Sequence, residues 1–248
     1  MSSILEFGIK KNVVVRNVAK LTAVPKSEHR EHVTFAVADI EAFIAASAGT
    51  QLGTIILFAL GTGLRRGEIC GLLWNDVKLE SGVYSLQRAA KNVKGKAVIG
   101  DLKTPKSRRT DHMPSFVVQA LREHRIEQMQ RHSALGIRPP DGGFVFADAK
   151  GQMVDPNELS GAFGNFVRNK GLRHVRFHDL RHAYATNAFA AGVSLKVISE
   201  SLGHSNIGIT SEVYTAVLDP AKIEKSNVLD GYLGSAVVRG LRSGTTEA

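Results

Sequence analysis

A chain of 248 residues with 43% hydrophobic side chains is long enough to bury a core in one large domain, and it does not have the composition of a disordered polymer. Its formal net charge of +9 calls for a polyanionic partner, either nucleic acid or an anionic membrane. The longest apolar run, Ile55 to Leu60, is too short to cross a bilayer, and MSSILEFGIKKN lacks the basic-then-apolar pattern of a signal sequence, so the expectation is nucleic acid in a cytoplasmic setting.

Residues 1–33 start with a short apolar piece and end in a charged run around Pro25, which reads as a tail and a linker rather than a domain. From Thr34 the pattern changes. VADIEAFIAASAG predicts a helix with Asp39 near its start and Gly49 past its end, and Leu52–Leu60 predicts a second, nearly all-apolar helix that must be buried. GTGLRRGEICGLLW passes from a glycine-marked turn into a third helix beginning near Arg65. The single cysteine, Cys70, lies in that apolar pattern as a core residue and excludes an intramolecular disulfide, as in a reducing compartment.

Between residues 77 and 111, short alternating runs (VYSLQ, AVIGDLK, RRTDHM) predict a small antiparallel sheet of about three strands. Ser115 to Arg131 returns to helical periodicity, with Val117, Val118, Leu121, Ile126 and Met129 as its inner stripe. A loop around FVF and a helix over ELSGAFGNFVRNKG follow, and further on ITSEVY puts Tyr214 on a short helical pattern. Asp219 to Leu229 reads as a last helix and RGLRSGTTEA as a disordered end. The expected class is α+β, mainly α-helical, with one small antiparallel sheet.

The chemistry concentrates between Arg176 and Ala216. His178 and Arg181, three apart, share one helix face, and His204 and Tyr214 follow. A cation, two imidazoles and a phenol suit a phosphate ester. Arg65 and Arg66 stand at a helix start behind Gly61 and Gly63, and Arg65 and Arg181 together have the planar forks to grip the non-bridging oxygens of one phosphodiester. The competing reading pairs each arginine with an acid, Glu68 or Asp179. Lys103, Lys106, Arg108 and Arg109 crowd a strand turn, where they form either a solvated face or a hairpin that tracks a phosphate backbone. A lysine there, its pKa depressed by neighbouring cations, can protonate a leaving oxygen.

His178 and His182 superficially resemble a zinc motif. The acid between them is Asp rather than Glu, Arg181 sits beside His178, and no third ligand follows at a familiar spacing, so no metal is expected. His174 and His182 read as satisfied core residues.

TGLRRGE at 62–68, LKT at 102–104, HDLRH at 178–182, LGHS at 202–205 and VY at 213–214 occur in this order, and the set resembles the tyrosine recombinases of the phage-integrase family. The resemblance runs from Thr34 to Leu229. It implies that Arg65 and Arg181 clamp the scissile phosphate, Lys103 is general acid for the departing 5′ oxygen, His178 assists proton transfer at the attacking phenol, and His204 donates to a non-bridging oxygen. Glu68 falls where the family has an acid that buttresses the site, and Tyr214 would be the nucleophile. The implied chemistry needs no cofactor. Arg66, Lys106, Arg108 and Arg109 are the expected DNA contacts.

The resemblance further implies double-stranded recombination sites as partner, a homotetramer on synapsed DNA from a chain that can be a monomer when free, and accessory DNA-bending or directionality proteins. Residues 1–33 would be the remnant of a core-binding domain and its linker, 34–230 the catalytic domain and 231–248 a flexible tail. Two other readings stay open: a type IB topoisomerase-like nicking-closing enzyme, and a DNA-binding protein without catalysis.

Overall fold

The computed structural model describes residues 2–21, 35, 37–102, 107–137 and 142–203. It divides into a short unit, Met1–His32, and a large one, Val33–Ala248. In the short unit α1 (Ser2–Lys10) buries none of its residues. Its chain is tied back by the Asn17 amide, which donates to Ser2 O and Glu6 Oε1, both at 3.0 Å.

In the large unit α2 (Val37–Ser47) leads into α3 (Gln51–Thr62), the apolar helix at the centre of the core. Thr50 caps α3 by accepting from Gly53 N at 3.0 Å, and every residue from Ile55 to Thr62 is buried. This matches the all-apolar run in the sequence, since a helix without a polar face has no side to turn to water. Gly63 ends the helix in the left-handed region at φ 65°, its N–H bonded to Ala59 O at 2.9 Å. The five-residue α4 (Arg66–Cys70) follows directly. Cys70 is 1% exposed, and burial pushes its thiol pKa up to about 12.

Five strands follow: β1 (Val77–Lys78), β2 (Val83–Leu86), β3 (Arg88–Val93), β4 (Lys96–Asp101) and β5 (Arg109–His112). They form a three-stranded antiparallel sheet in the order β1-β2-β5 and a separate β3–β4 hairpin. The sequence reading counted about three strands. It passed over β3 because RAAKNV does not alternate, and the hairpin turns on Lys94 and Gly95, both at positive φ (50° and 82°), rather than on an Asn-Gly pair. The hairpin packs beneath α4, where a Cβ on Gly67 would lie 2.4 Å from Ala90 O.

Of the stripe expected on α5 (Ser115–Ala134), Val117 and Leu121 are buried and Val118 is half-buried, but Ile126 and Met129 are exposed at 59% and 63%. The buried line continues instead through His124, Gln128 and His132. The first two bond to backbone carbonyls inside, although His124 Nδ1 has no partner among the described residues. His124 Nε2 bonds Val145 O at 2.7 Å, and Gln128 accepts from Trp74 Nε1 at 2.7 Å while donating to Phe144 O and Val145 O at 3.2 Å each. Polar residues that find carbonyl partners are buried at little cost, so apolar periodicity alone misplaced the lower half of this face.

Helix α6 (Pro156–Asn169), capped by Asp155, buries Phe163, which stacks on Phe43 at 5.9 Å and meets Phe177 edge-on at 5.5 Å. The described chain closes with α7 (Asp179–Ala190) and α8 (Leu195–Leu202). Helices α2, α5 and α7 all pack against α3.

Candidate active site

The site forms where the C-terminal ends of α3 and α8 meet the start of α4 and the first turn of α7. Gly63 and Gly203, both near φ +65°, terminate α3 and α8. At Gly63 a Cβ would come within 2.3 Å of Tyr184 Cδ1 and 2.8 Å of Leu202 Cδ2, so only glycine lets the two helix ends approach this closely.

Arg181, one turn into α7, is 4% exposed and donates from Nη1 to Gly63 O and from Nη2 to Leu202 O, both at 2.8 Å. Arg65, the residue capping α4, donates from Nη2 to the next carbonyl along, Gly203 O, at 3.5 Å. The two guanidinium groups are thus anchored on consecutive carbonyls at one helix end. Arg65 also pairs with Glu68 at 3.0 Å, as the competing sequence reading allowed, and its backbone N–H is accepted by Glu68 Oε2 at 2.9 Å. Arg65 is 42% exposed, so the ion pair at Nη1 leaves part of the fork to solvent. Asp179 takes Arg176 instead of Arg181, accepting from Arg176 N at 2.8 Å and from its Nη2 at 3.3 Å.

Glu68 is 3% exposed and is the hub of the strand side. Burial pushes its carboxyl pKa up, but the charge and hydrogen bonds of Arg109, with those of Arg65, prevail and hold it below the ordinary value. Arg109 closes on Glu68 Oε2 at 3.2 Å from a side chain only 9% exposed. It is therefore not on the solvated face that a cluster of four cations suggested, whereas Arg108 is, 57% exposed beside Asp101 at 3.7 Å.

His178 immediately precedes α7 with its ring at the surface. Partial desolvation, then the charge of Arg181 and more weakly those of Arg176 and Arg65, lower its pKa against the opposing charge of Asp179, which favours the proton-accepting form. Its ring meets His182 edge-on at 5.0 Å. His174, expected in the core, is exposed. With Arg65, Arg66, Arg176 and His178 it lines a cleft of about 600 Å³. Arg66 reaches Ser160 and, at 3.3 Å, Asn157 on α6. The sequence reading had no role for Arg176 or His174 in this cleft, and their only signal was proximity in the chain to His178. Lys103, Lys106, His204 and Tyr214 lie outside the described residues, although Gly203 immediately precedes His204 in the chain.

This fold is that of the tyrosine recombinase catalytic domains. The Tn1549 transposon integrase, solved in complex with a circular intermediate DNA, aligns with a TM-score of 0.68 at 24% identity over 86% of this chain and 71% of that one. XerA recombinase aligns with a TM-score of 0.59 at 22% identity over 88% of this chain and 69% of that one. The chain belongs to the phage integrase family, whose profile matches residues 34–220. Among its relatives are a "Tyrosine recombinase XerC-like" of Caldanaerobacter subterraneus subsp. tengcongensis, 35% identical over 79% of this chain, and an "Integrase" of Streptomyces ambofaciens, 30% identical over 90% of it. The chain spans 54% and 60% of the length of these two relatives.

Proposed function

We propose that the chain is a site-specific DNA recombinase that cleaves and rejoins DNA through a 3′-phosphotyrosyl intermediate, for integration or excision of a mobile element or phage. The observation that carries this reading is the convergence of Arg65 and Arg181 on the adjacent carbonyls of Leu202 and Gly203, beside a cleft lined by Arg65 and His178. Two guanidinium groups anchored from behind are preorganised for a phosphodiester whose non-bridging oxygens gain charge in the transition state. Family membership and relatives named as recombinases and integrases support the same reading.

In the proposed reaction the Tyr214 hydroxyl attacks phosphorus, passing its proton towards His178. The phosphorus–oxygen bond to the 5′ carbon breaks, and Lys103 protonates the departing 5′ oxygen. Arg65, Arg181 and His204 bind the non-bridging oxygens. A 5′ hydroxyl from the partner strand then reverses the sequence, so the bond energy is conserved and neither metal nor ATP enters. Arg66, Arg108 and Lys106 contact the backbone of double-stranded DNA. On synapsed sites the protein acts as a tetramer, with accessory DNA-bending or directionality proteins, and it works in the cytoplasm. Among the described residues no helix is long and apolar enough to cross a membrane.

The test is denaturing electrophoresis after incubation, in EDTA, with supercoiled plasmid or a pool of nicked suicide duplexes randomised around the nick. A covalent adduct in the wild type that disappears in Tyr214→Phe supports the assignment, and an adduct that persists in Tyr214→Phe overturns it. Plasmid relaxation without recombinants would favour a nicking-closing enzyme over a recombinase.

A further inference from the structure

We propose that Arg109 is a positioning residue of this site: from β5 it locks the Glu68 carboxylate, and Glu68 in turn aims Arg65 at the phosphate. The inference rests on the recombinase reading and gives Arg109 a task other than DNA contact.

The geometry is a three-part clamp. Arg109 Nη1 and Nη2 lie 3.4 Å and 3.2 Å from the two oxygens of Glu68, and Nη1 also donates to Ser107 O at 3.3 Å. The same two Glu68 oxygens take Arg65 Nη1 at 3.0 Å and Arg65 N at 2.9 Å. One carboxylate therefore serves a buried arginine on one side and a half-exposed arginine on the other. A glutamate has three rotatable side-chain bonds, and a two-pronged partner removes most of that freedom. Arg109 is well placed to do so. It is rooted in an antiparallel register opposite Leu86, which is 1% exposed, so its backbone belongs to the sheet rather than to a loop.

Arg109 is also boxed in. A Cβ on Gly203 would stand 2.8 Å from its Nη1, so the glycine that ends α8 leaves the space the guanidinium occupies. Its Nε is buried with no partner among the described residues, and its bonds are concentrated at the tip, on Glu68 and Ser107. A side chain 9% exposed and engaged in this way is in poor position to reach a duplex, whereas Arg65, 42% exposed, faces the cleft.

The experiment is a double-mutant cycle between Arg109→Met and Glu68→Gln, with Arg109→Lys as the conservative variant. Three quantities are read: the single-turnover rate of adduct formation on the randomised suicide duplexes, the affinity for the same duplexes at several salt concentrations, and the melting temperature. If Arg109 acts through Glu68, Arg109→Met lowers the adduct rate by about 10- to 100-fold, the range expected when a catalytic group is misaimed. In the Glu68→Gln background the same change costs less than about 3-fold, because coupled residues are non-additive. Affinity and its salt slope stay unchanged, and Arg109→Lys recovers part of the rate. Equal losses in both backgrounds would overturn the proposal. So would a fall in affinity with a salt slope reduced by about one, the signature of a lost phosphate contact. Should Arg109→Met fail to melt cooperatively, Arg109→Lys takes its place in the cycle under the same criteria. Failure of the recombinase reading is seen separately, as an adduct that persists in Tyr214→Phe.

Discussion

The site has two sides that hold a guanidinium by different means. On the helical side, where α3, α7 and α8 converge, Arg181 donates to backbone carbonyls that helix ends leave without partners. On the strand side, where α4 meets β5, Arg65 and Arg109 share the carboxylate of Glu68. The helical anchor depends on backbone shape, and hence on two glycines in the left-handed region. The strand anchor depends on a titratable group. The first is therefore indifferent to pH, while the second fails in acid.

The largest effect is expected from Arg181→Ala. Adduct formation should fall by at least about 10²- to 10³-fold, as when a preorganised oxyanion donor is removed. Stability should fall too, by about 1–3 kcal/mol for each carbonyl left buried and unpaired at Gly63 and Leu202. A melting curve beside the adduct assay checks both, and an unchanged melting temperature would mean that water replaces the guanidinium.

Next is Gly63→Ala, which places a Cβ 2.3 Å from Tyr184 Cδ1 at a φ of 65°. Overpacking of this kind costs about 1–3 kcal/mol, and the left-handed backbone adds to it. Urea denaturation should show a lower midpoint at every pH. A loss that varied with pH would break the distinction between the two sides.

Glu68→Gln sharpens it from the other direction. The folded carboxyl titrates below its ordinary value of 4.5, so the charged form stabilises the fold at pH values above 4.5 and this contribution is lost as the pH falls through the lowered value. The stability gap between wild type and Glu68→Gln should be constant from about pH 7 to pH 5 and close in stronger acid. The corresponding gap for Arg181→Ala should not follow this profile.

The smallest effect belongs to Arg108→Ala, since the pair with Asp101 is exposed and 3.7 Å long. Stability should move by less than about 0.5 kcal/mol. DNA affinity should weaken modestly, with a salt slope lower by about one if Arg108 meets a phosphate.

Most helices were legible because their signals are local. The apolar run of α3, the Gly63 stop and the periodicity of α6 lie within a few turns of the residues they organise. The lower half of α5 was not, because His124 and Gln128 are buried through bonds to carbonyls of residues 144 and 145, well beyond any helical period. Strand β3 was missed, although AVIGDLK marked β4, because RAAKNV does not alternate and the turn that joins the two departs from the usual signals. At the site, the residue types and their order pointed to Arg65, Glu68, His178 and Arg181, and all four are brought together. His174 was misread because solvent exposure is not encoded in a residue's immediate neighbours.

By itself, then, the sequence determined the helical punctuation, the excess of positive charge and the inventory of groups able to handle a phosphate ester, since each of these is a property of residue type and short-range spacing. Only the tertiary structure decided how each cation is held. Arg108 and Arg109 are adjacent in a basic run and look alike in the sequence, yet one is solvated and the other is buried against a carboxylate 41 positions away in the chain. Arg109 opens β5 and Arg108 lies just before it, and only the meeting of Arg109 on β5 with Glu68 on α4 determines which of the two is buried.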